Sequence, residues 1–205
     1  MTYRSGDIAR CAYLSPNGNF PPKADIGVDA YLASSKPSPM HIPTLRTERL
    51  ALRAPSVADF ETYRDFYADR SASSFYGGPL TASQAWRKLA YDVGHWTLRG
   101  FGMWSVVEQA SSTMVGGCGI VWPEGWPRHE LTWWIVPGAR RNGYAEEASR
   151  AAIRWAQEVL GWSAVETHMD DQNEPAKRLA QKLGGKIVSR DMFPDGLERN
   201  IYVLP

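Results

Sequence analysis

The chain has 205 residues, 43% of them hydrophobic, and a formal net charge of +1 from 23 basic and 22 acidic side chains, enough for one domain with a sizeable core plus an appendage. That balance excludes a general attraction to nucleic acid or to an anionic membrane, so neither is expected as a partner and any steering by charge is local. Two cysteines, Cys11 and Cys118, make neither a disulfide framework nor a zinc site, and no apolar run approaches the roughly 20 residues that span a bilayer. The expected setting is the cytoplasm, with no metal ion.

Residues 1–42 mix Gly, Pro, Ser and Asn with scattered apolar residues and hold no period. They read as a leader, and residues 43–205 as the domain proper. The leader's apolar content leaves two arrangements open, packing across the domain or against a neighbouring subunit, the second implying a homodimer. From Leu45 the character changes: Leu50 and Leu52 alternate with Arg49, Ala51 and Arg53, the period of a half-buried strand. Ser56 and Asp59 have capping-box spacing, and Phe60, Tyr63, Phe66 and Tyr67 follow at helical spacing to about Arg70. A second helix is expected from Thr81, with a loop over residues 71–80 between the two.

Residues 101–108 and 114–122 read as an antiparallel hairpin. Its Gly116-Gly117-x-Gly119 lies inside an apolar run, whereas a dinucleotide fingerprint needs a strand ending before the glycines and a helix opening after them. Residues 129–136 form the next strand. It runs into Arg140-Arg141-Asn142-Gly143-Tyr144-Ala145, a basic turn at the start of a helix that carries Ala148, Ala151, Ala152 and Trp155 on one stripe to Leu160. Unpaired N–H groups at a helix start, the helix dipole and a residue without Cβ make that turn a phosphate site. Residues 162–169 form a further strand. At its end His168 and Asp170, one imidazole and one carboxylate, do not make a metal site. Asn173 caps a last helix that Gly184-Gly185 stops, and residues 187–188 and 201–203 finish as strands around the turn 194–196.

Arg140-x-x-Gly143-x-Ala145 resembles the signature loop of the GNAT N-acetyltransferases, where it holds the pyrophosphate of acetyl-CoA. Thr47-Glu-Arg-Leu-x-Leu-Arg53 and the strand from Glu130 are similar to their RimJ/RimL branch of ribosomal-protein N-terminal acetyltransferases, with Thr132 and Trp133 departing from its Gly-Tyr pair. Over residues 45–205 the resemblance implies an α/β GNAT fold: a mixed central sheet of about seven strands, splayed between the fourth and fifth, flanked by helices on both faces. It implies acetyl-CoA as co-substrate and a primary amine as acceptor, either a protein or peptide N-terminus or a small molecule.

The resemblance also implies roles. Arg140, Arg141, Asn142, Gly143, Tyr144 and Ala145 hold the cofactor's diphosphate, Asn173 its pantetheine arm, and the backbone N–H near Ile135 or Val136 the oxyanion of the tetrahedral intermediate. Glu130 is the general base. The serine or tyrosine acid of the family's last helix is missing, since Ala176 stands at the serine position. That absence keeps a second reading open, a non-catalytic acyl-CoA sensor or interaction module.

Overall fold

The computed structural model describes residues 42–205. The leader, apart from Ile42, lies outside the described residues, as does Cys11. Five strands, β1 (Leu45–Arg46), β2 (Leu50–Arg53), β3 (Met103–Glu108), β4 (Thr113–Val121) and β5 (Glu130–Ile135), pair in that order into one antiparallel sheet. Three more, β6 (Val165–His168), β7 (Lys186–Met192) and β8 (Glu198–Leu204), form a second antiparallel sheet in the order β6-β8-β7. The strand count thus exceeds the expected seven by the two-residue β1. The splay falls where expected, between the strands that carry Glu130 and His168.

Across that gap no backbone ladder joins β5 to β6. Side chains bridge its base instead: Thr167 Oγ1 donates to the Leu131 carbonyl at 2.8 Å, and the Glu166 N–H donates to His129 Nε2 at 3.0 Å.

The helices are α1 (Phe60–Ala68), α2 (Arg70–Ser73), α3 (Ala82–Arg99), α4 (Tyr144–Leu160) and α5 (Glu174–Lys182). Strand alternation sends Trp104, Val106, Cys118, Leu131 and Trp133 into one core, where they meet Ala148, Ala152 and Trp155 of α4. Met103, Val107 and Trp134 face the other way, onto Tyr63, Phe66 and Tyr67 of α1 and Leu89 of α3. Helices therefore cover both faces, and each fully buried large side chain contributes about 1.5–3 kcal/mol. The glycine run of β4 permits close approach: a Cβ on Gly119 would overlap the carbonyl of Gly102, the residue just before β3.

The predicted capping box of Ser56 with Asp59 forms, and Thr81, the expected start of the next helix, forms one with Gln84 as well. The expected loop 71–80 is shorter than its sequence suggested. Asp69 accepts from the Ser71 and Ala72 amides and caps the four-residue α2, which runs into a 3-10 turn over Ser74–Tyr76. So short a helix carries no readable period. On the exposed side of α4 the i,i+4 pair Glu146–Arg150 forms at 3.0 Å.

Candidate active site

The turn between β5 and α4 is built to leave amides unspent. Pro137–Ala139 is a 3-10 turn, Arg141 has φ +66°, and Gly143 enters the helix at φ +78°, in the left-handed region that glycine occupies without strain. The first helical bond from beyond this turn is Glu147 N–H to the Gly143 carbonyl. The N–H groups of residues 141–146 donate to no acceptor among the described residues. Consecutive free amides at the positive end of a 17-residue helix form an anion site.

The side chains of the turn divide their tasks. Arg140 is an anchor: its Nε donates to the Ile135 carbonyl at 3.0 Å and its Nη2 to the Ala72 carbonyl at 3.2 Å, tying the turn to β5 and α2. Its charge is partly committed to these carbonyls. Arg141 is exposed. The Asn142 carbonyl accepts from Arg49, which reaches it from before β2 while also holding Glu147. Tyr144 points its hydroxyl at Glu108, so its side chain braces the sheet while its backbone faces the cleft.

A cleft of about 610 Å³ opens over this turn, lined by Arg140, Arg141, Gly143, Tyr144 and Ala145 on one wall and by Asn173, Arg178 and Lys182 of the α5 region on the other. A second cleft of about 480 Å³ lies over the ends of β5 and β6, lined by Glu130, Thr132, Trp126, His168, Asp170, Asp195 and Arg199 among others. Ser74, Phe75, Tyr76, Trp133, Asn173 and Ala176 line both. The two clefts therefore meet at the gap between the sheets, under the 3-10 turn.

Of the two amides expected to face that junction, one is spent. Val136 N–H donates to the Val115 carbonyl at 2.9 Å, which corrects Val136 as an oxyanion donor. Antiparallel alternation then turns the N–H and carbonyl of Ile135 to the opposite edge, toward the gap, and Arg140 meets the Ile135 carbonyl there. Asn173 is buried, and its Oδ1 caps α5 at the Ala176 amide, 3.2 Å away.

Glu130 sits at the start of β5 with its side chain 22% exposed, and burial lifts its carboxyl to about 7 against the opposing pull of Thr132, Lys88 and Arg199. Its Oε2 lies 3.6 Å from Nε2 of His168. His168 stacks on Trp126 and Phe193, and burial pushes its imidazole down to about 4, so at neutral pH it is uncharged and the pair is no salt bridge. Its Nε2 is buried without a hydrogen-bond partner among the described residues. Tyr76 stands between the clefts: burial raises its phenol to about 12, Arg140 of the first cleft lowers it, and Glu130 of the second raises it. The sequence placed a loop over residues 71–80 without singling out Tyr76. It gave no signal for Trp126, Asp195 or Arg199, which reach the cleft from separate loops and the start of β8. No group of three or more metal-ligating side chains occurs among the described residues.

Comparison with known proteins supplies a family. The acetyltransferase (GNAT) domain profile matches residues 49–186. A crystal structure of an acetyltransferase from Agrobacterium tumefaciens str. C58 is 33% identical, with a TM-score of 0.74, covering 80% of this chain and 95% of that one. The uncharacterized N-acetyltransferase YoaA of Bacillus subtilis (strain 168) is 24% identical over 169 residues, 78% of this chain and 95% of its own. The RimL ribosomal L7/L12 alpha-N-protein acetyltransferase, solved with coenzyme A, shares the fold at 12% identity and a TM-score of 0.64, covering 78% of this chain and 97% of that one.

Proposed function

The chain belongs to the GNAT acetyltransferases, enzymes that use acetyl-CoA, and from that premise we propose that residues 43–205 move the acetyl group onto a primary amine by direct attack in a ternary complex. One observation carries this reading: a cleft with unspent amides and a cleft with a poised carboxyl open into each other at the gap between the sheets. The first cleft suits acetyl-CoA. Free amides of residues 141–146 and the cations Arg141, Arg178 and Lys182 answer its phosphates, and Gly143 offers no Cβ to obstruct them. Asn173, which lines the junction, is assigned to the pantetheine arm.

In the second cleft Glu130 takes the proton of the attacking amine, directly or through one water, and a carboxyl lifted to about 7 is matched to that task near neutrality. The Ile135 N–H meets the oxyanion of the tetrahedral intermediate, a donor whose loss typically costs about 10²- to 10³-fold in rate. Collapse of the intermediate breaks the carbon–sulfur bond and leaves a thiolate. We assign its proton to the Tyr76 hydroxyl, because Tyr76 lines both clefts and Ala176 has nothing to donate. Glu130 then holds the amine's proton and Tyr76 has lost one, so proton return between them through water restores the site.

The motifs of residues 47–53 and of β5 favour the RimJ/RimL branch. The sensor reading draws on Ala176 alone, and a hydroxyl from the other wall of the junction removes its motive. Thiol release from acetyl-CoA across a panel of amines, run beside calorimetry of acetyl-CoA, tests the proposal. Tight cofactor binding with no thiol release from any amine would overturn it in favour of the sensor.

A further inference from the structure

We propose that the acceptor is a small amine with a second positive charge, held at Asp170 while its reacting nitrogen lies at Glu130. This rests on the transfer reading above and names the class of amine.

The charges lining the acceptor cleft do not cancel. Glu130, Asp170 and Asp195 face one cation, Arg199. That guanidinium is already committed: it is bidentate to Asp195, its side chain is only 12% exposed, and it lies over the Phe193 ring at 5.0 Å. It feels Glu130 and Asp170 as well, so one lining cation serves three carboxylates, with Lys88 of α3, outside the lining, pulling on Glu130 alone among them. Asp170 accepts only the Gln172 N–H, whereas the adjacent Asp171 has taken Arg190 at 2.7 Å. Among the described residues no cation lies within 4.0 Å of Asp170. The remaining titratable groups in the cleft, His168 and Tyr76, are neutral at pH 7 and compensate nothing.

A second, independent feature points to a ligand with N–H groups. His168 is 4% exposed, lines the cleft and holds an unpartnered Nε2 3.6 Å from Glu130, a polar atom left waiting where the reacting nitrogen would lie. A monoamine answers Glu130 and leaves Asp170 unmatched. A free amino acid brings its own carboxylate against Asp170, which like-charge repulsion disfavours. A diamine answers both carboxylates, and Trp126, Trp133 and Phe75 offer apolar surface for the methylenes between its charges.

The test measures kcat/KM for thiol release with 1,4-diaminobutane, n-butylamine, glycine and a tetrapeptide amide with uncharged side chains. The diamine should exceed n-butylamine at least about tenfold, and that ratio should fall toward one in Asp170→Asn and at high ionic strength. A ratio near one in the unaltered protein, a ratio that survives Asp170→Asn, or preference for glycine or the peptide would overturn the inference and leave acetyl transfer standing. Thiol release from none of the four, with acetyl-CoA still bound, would remove the transfer reading and this inference together.

Discussion

Replacing Glu130 by Gln should make the protein more stable and less active at once, and the pH dependence of both effects follows from the carboxyl's position. In the folded chain burial raises it from 4.5 to about 7. Between those values the unfolded chain has released the proton that the folded chain still holds. The stability linked to this group is therefore complete below about pH 4.5, declines as pH rises, and is lost once pH passes about 7. At about 1.4 kcal/mol per tenfold, the interval corresponds to about 3 kcal/mol, an upper figure because the side chain retains some contact with water. Glutamine fills the site without ionising and escapes the loss. For a domain of this size each kcal/mol moves Tm by about 2–4 °C, so Glu130→Gln should gain several degrees over the parent at pH 8 and little at pH 4.5. His168 and every other titrating group occur in both proteins and cancel in the difference. Turnover should fall about 10²- to 10⁴-fold, with partial recovery at high pH and acetyl-CoA affinity unchanged. The parent's kcat/KM should lose its basic form as pH drops below about 7. Calorimetric melts across pH 4.5–8, beside the rate profile, decide the matter. A Tm difference that stays flat with pH would show that Glu130 is not held in a protonated pocket, and undiminished turnover would remove it as the base.

Gly143→Val puts a β-branched residue at φ +78° and should cost about 1–3 kcal/mol of strain and at least about a hundredfold in acetyl-CoA affinity by calorimetry. In Gly143→Ala the added Cβ would meet Arg49 Nη2 at an ordinary 3.4 Å, so strain without a clash should give a smaller loss; unchanged affinity in both would detach the turn from the cofactor. Tyr76→Phe keeps the ring's packing on Phe66 and removes only the proton, so kcat should fall about 10²-fold with cofactor affinity intact. Turnover equal to the parent's would leave water to protonate the thiolate. Gly119→Ala drives a Cβ into the Gly102 carbonyl and should lower Tm by an amount corresponding to about 1–3 kcal/mol, whereas an unmoved Tm would contradict the packing of β3 on β4.

What the sequence revealed, and what it withheld, divides by how locally each feature is encoded. The capping box at Ser56, the helix start at Thr81 and the free amides of the turn before α4 each belong to one short stretch, so residue type and spacing suffice to place them. The positive φ of Gly143 at the helix start was legible for the same reason. The choice between Ile135 and Val136 was not local. It depends on which amide pairs with β4, and only the register, with Val136 bonded to Val115, leaves Ile135 facing the gap. The anchoring of Arg140 was hidden in the same way, since the carbonyl of Ala72 that it grips comes from 68 residues away.

The acceptor cleft lies at the far end of this scale. Trp126 comes from the loop before β5, His168 and Asp170 from the end of β6, Asp195 from the turn before β8, and Arg199 from β8 itself. Nothing in their order along the chain announces that they share a cavity. His168 and Asp170, read from the sequence only as a strand end, line this cleft beside a carboxyl contributed by β5. This separation has a functional logic. The diphosphate is constant across the family's reactions, and one turn with backbone donors can meet it whatever the surrounding side chains. An acceptor varies, and a cleft assembled from the ends of independent loops can exchange one wall at a time without disturbing the turn. Of the departures from the family pattern, Thr132 lines the acceptor cleft alone and Trp133 and Ala176 line both clefts, while Arg140, Gly143 and Ala145 keep the signature. Divergence at the acceptor cleft and at the junction, beside a signature turn left intact, is the pattern expected where the donor is constant and the acceptor varies.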